Sequence, residues 1–180
     1  MNHCLSYLLS LTSAFAAVNL PALAANGETP MMKPLPLSNI KVGGEIGRRL
    51  DITIDNNLLA LDVENAFLLP FRERNQASGY VGLGKLINAT VLLAAYSGDE
   101  RVLSLKNRLV TEAIKTQEPD GYIGILLPES RLWGVYDIHE MSYLVLGLTS
   151  DYVYFGEDAS LAAAKKLADF TLQIKFSIDN

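Results

Sequence analysis

The stretches AAYSGDERVLSLKNRLV (residues 94–110) and DYVYFGEDASLAAAKKLAD (residues 151–169) share one layout, and this layout decides the predicted fold. In each stretch, the end of an apolar helical pattern is followed by a glycine, an acidic residue and a second helical pattern. Gly98 and Gly156 take the same place in the two copies, so the layout recurs after 58 residues. Such recurrence predicts consecutive helical hairpins.

The first hairpin shows the expected local signals. We expect Gly98 to adopt the left-handed conformation that ends a helix, and Asp99 to cap the next helix. On that second helix the apolar residues form one stripe, and Lys106 is predicted to lie outside it with the other charged side chains. The run PDG at residues 119–121 has the turn chemistry that should close the hairpin.

The repeat period favours one helical architecture over others. It is longer than the roughly 34-residue tetratricopeptide unit and the roughly 40 to 47-residue HEAT unit. A hairpin followed by a long connecting loop fits an α/α barrel, whose loops at one end of the inner helices form the site. The predicted fold class is therefore all-α, a partial barrel of helical hairpins. Because two hairpins do not close a ring, we expect residues 40–180 to be a truncated, N-terminal fragment of a larger domain.

The segment before the first hairpin is less clear. In residues 42–59, Ile52 and Ile54 alternate as in a short strand, so this part is ambiguous between strand and helix. The following residues, 56–71, are predicted to be helical until Pro70 stops the helix.

The N-terminus has the features of an export signal. Residues 5–24 are apolar and uncharged and end in Ala-Leu-Ala, the small-residue pattern of a signal peptidase site. We predict a signal peptide at 1–24, an extended leader at 25–39, and a secreted or periplasmic protein without a stable membrane span; a membrane anchor is the alternative. Cys4, the single cysteine, would leave with the signal, so no metal site is predicted in this chain.

Charge excludes one class of partner. The formal net charge is -5, and basic residues are interspersed with acidic ones without any Lys/Arg-rich run. Such a surface cannot neutralise a row of phosphates, so nucleic acid is not expected to bind. The sequence gives no indication of the oligomeric state.

The stretch WGVYDIHEMSY (residues 133–143) opens the second hairpin and contains the candidate site residues. Asp137 and Glu140 match the acidic form of a capping box, in which Asp137 accepts from nearby backbone N–H groups and Glu140 bonds back. His139 is not needed for capping and suits hydrogen bonding to hydroxyls or proton exchange, although a surface or packing histidine is the alternative. Trp133 offers a flat apolar face for a sugar ring, or else anchors its loop.

A glycine-rich stretch, GYVGLGK at residues 79–85, imitates a phosphate-binding loop. It lacks the Lys-Ser/Thr ending and a convincing preceding strand, so phosphate binding is not predicted.

Three motifs together resemble a known family. GYVGLGK, QEPDGYIG (residues 117–124) and DIHE (residues 137–140), in this order, resemble the N-terminal part of the catalytic domain of glycoside hydrolase family 127, typified by bacterial β-L-arabinofuranosidases. The resemblance implies an (α/α)6 barrel of the six-hairpin glycosidase type with accessory β domains, acting on furanosides. In relatives a histidine in the segment like DIHE lies at the sugar pocket, which implies a substrate-binding role for His139. We place Trp133, Asp137 and Glu140 beside it as further substrate-binding candidates.

The resemblance also implies what this chain lacks. Relatives use a cysteine nucleophile in a zinc site of cysteines and a glutamate, with a second glutamate as general acid/base, all downstream of the similar region. No catalytic residue is therefore predicted in this chain, zinc is implied only for the full-length family, and the chain is expected to be inactive alone. Many relatives carry another histidine where this sequence has LVLGL (residues 144–148), which leaves the subfamily and the arabinose specificity open. The alternative function is a noncatalytic helical-repeat module that binds glycan or protein.

Overall fold

The structure is a computed structural model and describes residues 35–132 and 134–172. The predicted signal peptide, most of the leader and Trp133 lie outside the described residues. Within the described ranges the fold is helical and has no strand, apart from one isolated parallel bridge between Gln76 and Leu126. None of the helices in this part of the chain combines the length and the apolar composition needed to span a membrane.

The described residues form six α-helices. Two of them have wider, π-type turns attached: Thr53–Leu58 continues the first helix and Glu64–Leu68 leads into the second. The bounds are α1 Gly44–Ile52, α2 Leu69–Glu73, α3 Leu83–Ser97, α4 Glu100–Lys115, α5 Val135–Phe155 and α6 Asp158–Leu172.

The two predicted hairpins are confirmed as α3–α4 and α5–α6. Gly98 and Gly156 end α3 and α5 in the left-handed conformation, with φ of 66° and 74°. Their N–H groups donate to the carbonyl oxygens of Ala94 and Tyr152 at 2.9 and 2.8 Å. Asp99 caps α4 by accepting from the N–H of Arg101 at 2.8 Å, as predicted. The fold class is thus confirmed as all-α, a partial barrel of helical hairpins.

Helices α3 and α5 pack against each other at backbone distance. A Cβ added to Gly84 would lie 2.3 Å from the backbone nitrogen of Leu144, and one added to Gly147 would lie 2.9 Å from the carbonyl oxygen of Gly84. Further along, the Ser150 hydroxyl donates to the side-chain oxygen of Asn88 at 2.7 Å. Going from Gly84 to Asn88 along α3, the contacts move from Leu144 to Ser150 along α5. The two helices therefore run parallel.

A single apolar core joins the hairpins to α2. Its fully buried side chains are Phe71, Leu83, Ile87, Val91, Val102, Leu109, Ala113, Tyr122, Ile123, Met141, Leu144, Leu148 and Leu167.

Lys106 contradicts the prediction that it lies outside the apolar stripe. Its side chain is only 3% exposed, and its ammonium binds the buried Asp151 carboxylate at 2.8 Å. The Ser160 hydroxyl donates to the other oxygen of that carboxylate at 2.6 Å. The pattern of α4 alone could not show this burial, because the partners come from α5 and α6.

Before α3 the structure resolves one ambiguity and corrects one expectation. Ile52 and Ile54 do not form a strand, since α1 continues through them as helix. Pro70 does not end a helix but lies in the first turn of α2, where its missing N–H is least needed. The helix ends instead at Arg74, whose φ of 48° is left-handed.

The two ends of the hairpins differ in construction. We call the end formed by Gly98 and Gly156 the turn end, and the end formed by residues 74–82 and 116–132 the loop end. At the loop end the two loops are joined by backbone hydrogen bonds, with Gln76 donating to Ile125 at 3.2 Å and accepting from Leu127 at 2.9 Å. The loops before both inner helices therefore meet at one end of the molecule, as the barrel prediction requires.

Candidate functional site

Glu140 holds the glycine-rich segment at the start of α3. Its carboxylate accepts hydrogen bonds from the backbone N–H groups of Val81, Gly82 and Gly84 at 3.0, 2.6 and 3.1 Å. The residue is only 2% exposed. A carboxylate at this position satisfies amides that have no partner within α3 and interacts favourably with the helix dipole. The amides that a phosphate loop would present to a ligand are occupied here by a side chain of the same protein.

Asp137 holds the second loop. One carboxylate oxygen accepts from the Tyr122 hydroxyl at 2.9 Å, and the other accepts from the N–H of Leu132 at 3.0 Å. The Tyr122 hydroxyl in turn accepts from the N–H of Leu126 at 3.1 Å. Burial raises the pKa of Asp137, and burial together with the charge of Asp137 raises the pKa of Tyr122.

An ionic network reinforces this loop. Arg131 is 8% exposed, binds Glu118 at 2.6 Å and stacks over Tyr122 with its guanidinium carbon 3.9 Å from the ring centroid. Glu118 also binds Arg74, which begins the other loop. Arg131 is the main cause of the lowered pKa of Glu118. The network thus ties the two loops of the loop end to each other.

The reciprocal capping box predicted for Asp137 and Glu140 is wrong. Helix α5 begins at Val135 after Gly134, which provides no side-chain cap. Residues three apart on a helix share a face, and in α5 this face lies under the two loops. Glu140 therefore binds amides that are distant in the sequence, and Asp137 binds the distant Tyr122 hydroxyl and an amide that precedes the helix. A local sequence motif does not reveal these partners.

His139 lies between these two carboxylates in the sequence but is exposed. Its ring packs edge-on against Tyr80 and Tyr143, with centroid distances of 5.1 and 4.9 Å. A cleft of about 190 Å³ is lined by His139 and Tyr80 together with Val135 and Tyr136. The predicted position of His139 at an open surface is therefore compatible with ligand contact, whereas the side chain of Trp133 is outside the described residues.

A lysine shares the same aromatic surroundings. The ammonium of Lys85 lies 4.6 Å from the ring centroid of Tyr143 and 5.2 Å from that of Tyr80. Tyr80 raises the pKa of Lys85, so this side chain is charged at neutral pH. We call the surface formed by Tyr80, Lys85, Tyr136, His139 and Tyr143 the His139 wall.

Sequence reasoning missed most of this wall. Tyr143 follows His139 by one helical turn, so helical spacing was a usable signal for it. Tyr80 and Lys85 lie in the glycine-rich segment, far away in the sequence, and only the packing of α3 on α5 brings them to His139.

A second cleft adjoins the wall and shares Tyr136 with the first. Its volume is about 350 Å³, within the range of about 300–1,000 Å³ that is usual for ligand pockets. Ser78, Glu129 and Ser130 contribute polar groups to its lining. The loop end thus offers two clefts that share one exposed tyrosine in their linings.

The family resemblance implies a zinc site downstream of the similar region and not among the described residues. They contain no group of three His, Cys, Asp or Glu side chains arranged to hold a metal ion. The carboxylates nearest to His139 in the sequence, Asp137 and Glu140, already bind hydroxyl and amide donors.

Comparisons with known proteins identify the family. Residues 69–179 match the family model described as "Beta-L-arabinofuranosidase, GH127 catalytic domain". No curated protein and no solved structure matches the chain. The matched range contains α2 to α6, both loops of the loop end and the whole His139 wall, and it covers more than half of the sequence. The chain therefore belongs to the glycoside hydrolase family 127 catalytic-domain family.

Proposed function

We propose that this chain forms a substrate-binding part of a secreted glycoside hydrolase that acts on furanosides such as β-L-arabinofuranosides. The observation that carries the proposal is the exposed ring of His139, held between two tyrosines beside a cleft at the loop end. Aromatic faces pack against the C–H groups of sugars, and imidazole nitrogens form hydrogen bonds with hydroxyl groups.

The three polar residues of DIHE have different roles in this proposal. Asp137 and Glu140 are each 2% exposed and fully engaged with backbone and hydroxyl donors, which favours positioning the loops over touching the sugar. His139 is the member proposed to face the ligand, and Trp133, which lies outside the described residues, is kept from the sequence as a proposed sugar contact. A change to Asp137 or Glu140 should therefore act on binding through the loops.

We propose in addition that the chain does not hydrolyse glycosides by itself. The relatives it resembles use a cysteine nucleophile, and residues 5–180 contain no cysteine. The 180-residue chain should show no turnover of an aryl β-L-arabinofuranoside, with or without added zinc. Metal-dependent turnover would refute this part of the proposal.

The experiment that tests the binding proposal is titration calorimetry of the chain with a β-L-arabinofuranosyl disaccharide. His139→Ala should weaken binding by about tenfold, the effect of losing one good hydrogen-bonding contact. Tyr154→Ala provides the matched control, since Tyr154 is an exposed tyrosine on α5 close to the turn end. Equal affinities for the wild type and His139→Ala, or an equal loss in the control, would contradict the proposal.

Export is the remaining part of the proposal and rests on residues 1–24. Expression in a bacterium should yield a periplasmic protein whose N-terminal residue is Ala25. Recovery of a cytoplasmic protein that begins at Met1 would exclude export by this signal.

A further inference from the structure

Lys85 is a charged side chain that has no direct ion pair among the described residues, although, after Tyr80, the charge of Glu140 also contributes to its raised pKa. The lysines Lys106 and Lys115 each bind a carboxylate, at 2.8 and 2.7 Å. Lys85 makes no such ion pair within the described ranges, and its ammonium faces the rings of Tyr80 and Tyr143 instead. Cation–π contacts hold an ammonium in place without cancelling its charge.

Among the described carboxylates it is Glu140 whose charge, after the effect of Tyr80, contributes to the raised pKa of Lys85, but it does not form an ion pair with this lysine. Glu140 is buried beneath the glycine-rich segment, and backbone N–H groups occupy both of its oxygens. Lys85 itself is exposed. The ammonium is therefore accessible to a ligand that lies along the wall.

Lys85 and His139 also share their neighbours. Tyr80 and Tyr143 each contact both side chains. Their ring centroids lie 5.1 and 4.9 Å from the ring centroid of His139, and 5.2 and 4.6 Å from the ammonium of Lys85. A sugar that contacts His139 therefore brings its substituents, or the next sugar unit, close to a cation whose position is restricted by two aromatic rings. Restricting a side chain before binding lowers the entropic cost of using it.

We propose that the His139 wall prefers glycans carrying a negatively charged group, and that Lys85 determines this preference. The inference rests on the proposed carbohydrate binding and specifies its ligand class. The group is a carboxylate of a uronic acid or a sulfate ester, since a lysine attracts either one as a point charge. Because the site is exposed, the preference is modest, about three- to tenfold at low ionic strength, and salt weakens it.

The test uses two matched pairs of ligands. One pair is pectin-derived oligosaccharides and the same material with its carboxyl groups reduced to alcohols; the other is sulfated galactan oligosaccharides and their desulfated form. Affinities for the 180-residue chain are measured by titration at low and at high salt. The acidic member of at least one pair should bind about three- to tenfold more tightly than its neutral counterpart at low salt.

Variants separate Lys85 from the overall charge of the protein. Lys85→Met should make the acidic and neutral members bind equally, while Lys85→Arg should retain the preference. Lys165→Met removes a charge from α6 that is also exposed and should leave the preference unchanged. Circular dichroism checks that each variant is folded.

The outcomes distinguish this inference from the proposed function. One outcome is that neutral oligosaccharides bind, that His139→Ala weakens their binding, and that no acidic form binds more tightly. In that case the preference is refuted and the sugar site stands. A preference that survives in Lys85→Met also refutes the assignment to Lys85. If neither member of either pair binds while the β-L-arabinofuranosyl disaccharide does, the inference is refuted and the sugar site stands; if the disaccharide does not bind either, the proposed function fails as well.

Discussion

The turn end and the loop end of the same hairpins are built by different means. At the turn end, Gly98 and Gly156 reverse the chain through their own conformation, and a Cβ on either would meet no atom within 4 Å. At the loop end, the loops before α3 and α5 are held by the buried carboxylates of Glu140 and Asp137. The turn end is specified locally, whereas the loop end depends on contacts between distant residues and carries the exposed polar and aromatic groups.

The largest difference between the two ends should appear when one methyl group is added to each. Gly84→Ala places a Cβ 2.3 Å from the backbone of α5, so the helices must separate, and we expect a loss of about 4 kcal/mol in the free energy of unfolding. Gly98→Ala meets only the left-handed conformational cost, about 1 kcal/mol. Urea unfolding of both variants measures the two losses. Similar losses would contradict the close packing of α3 on α5.

The next effect concerns the buried ion pair between α4 and α5. Lys106→Met leaves the Asp151 carboxylate buried with Ser160 as its one remaining partner among the described residues, so unfolding should become easier by about 3 kcal/mol. Lys115→Met is the control, because Lys115 is exposed and pairs with Glu112 on the surface. Thermal unfolding should show a clear fall in Tm for the first variant and little change for the second. A stable Lys106→Met variant would show that the hairpins do not need this contact.

Glu140 tests how far the loop end depends on a single carboxylate. Glu140→Gln keeps the shape but replaces one acceptor oxygen with an amide that faces backbone donors, and should cost about 2 kcal/mol. The amides of Val81, Gly82 and Gly84 should also exchange hydrogen faster. The matched change Glu157→Gln, at an exposed position beside Gly156, should alter neither quantity. Unchanged exchange in Glu140→Gln would mean that the segment is held by other contacts.

The smallest expected effect is a pH dependence at Asp137. Burial raises the pKa of this carboxyl in the folded protein above its unfolded value, so the folded state binds the proton more tightly. The contribution of Asp137 to stability is therefore largest below the unfolded pKa, about 3.9, and is lost as the pH rises through the folded pKa. The stability advantage of the wild type over Asp137→Asn should shrink from pH about 4 upward in urea unfolding series. An advantage that grows with pH would contradict this environment for Asp137.

The same contrast explains what the sequence could predict. Helical spacing, Gly98, Gly156 and the cap at Asp99 act within a few residues, so the hairpins were predicted correctly. The three motifs also indicated the family. The sequence pattern also indicated that His139 is not needed for capping the helix, and the structure shows that its side chain is exposed.

The polar interactions between elements could not be predicted in the same way. Glu140 binds amides of a segment that precedes α3, and Lys106 finds its partner on α5. A buried charge has the sequence pattern of a surface charge until its partner is known. For the same reason Tyr80 and Lys85 were not recognised as neighbours of His139.

The most direct test of the account is to map the bound sugar on the protein by NMR. Titration of the isotope-labelled chain with a β-L-arabinofuranosyl disaccharide should shift the signals of Tyr80, Lys85, His139 and Tyr143. The amide signals of Gly98 and Gly156 should stay unchanged, since the account places the ligand at the loop end. Saturable shifts concentrated at the two glycine turns, or no shifts at all, would contradict it.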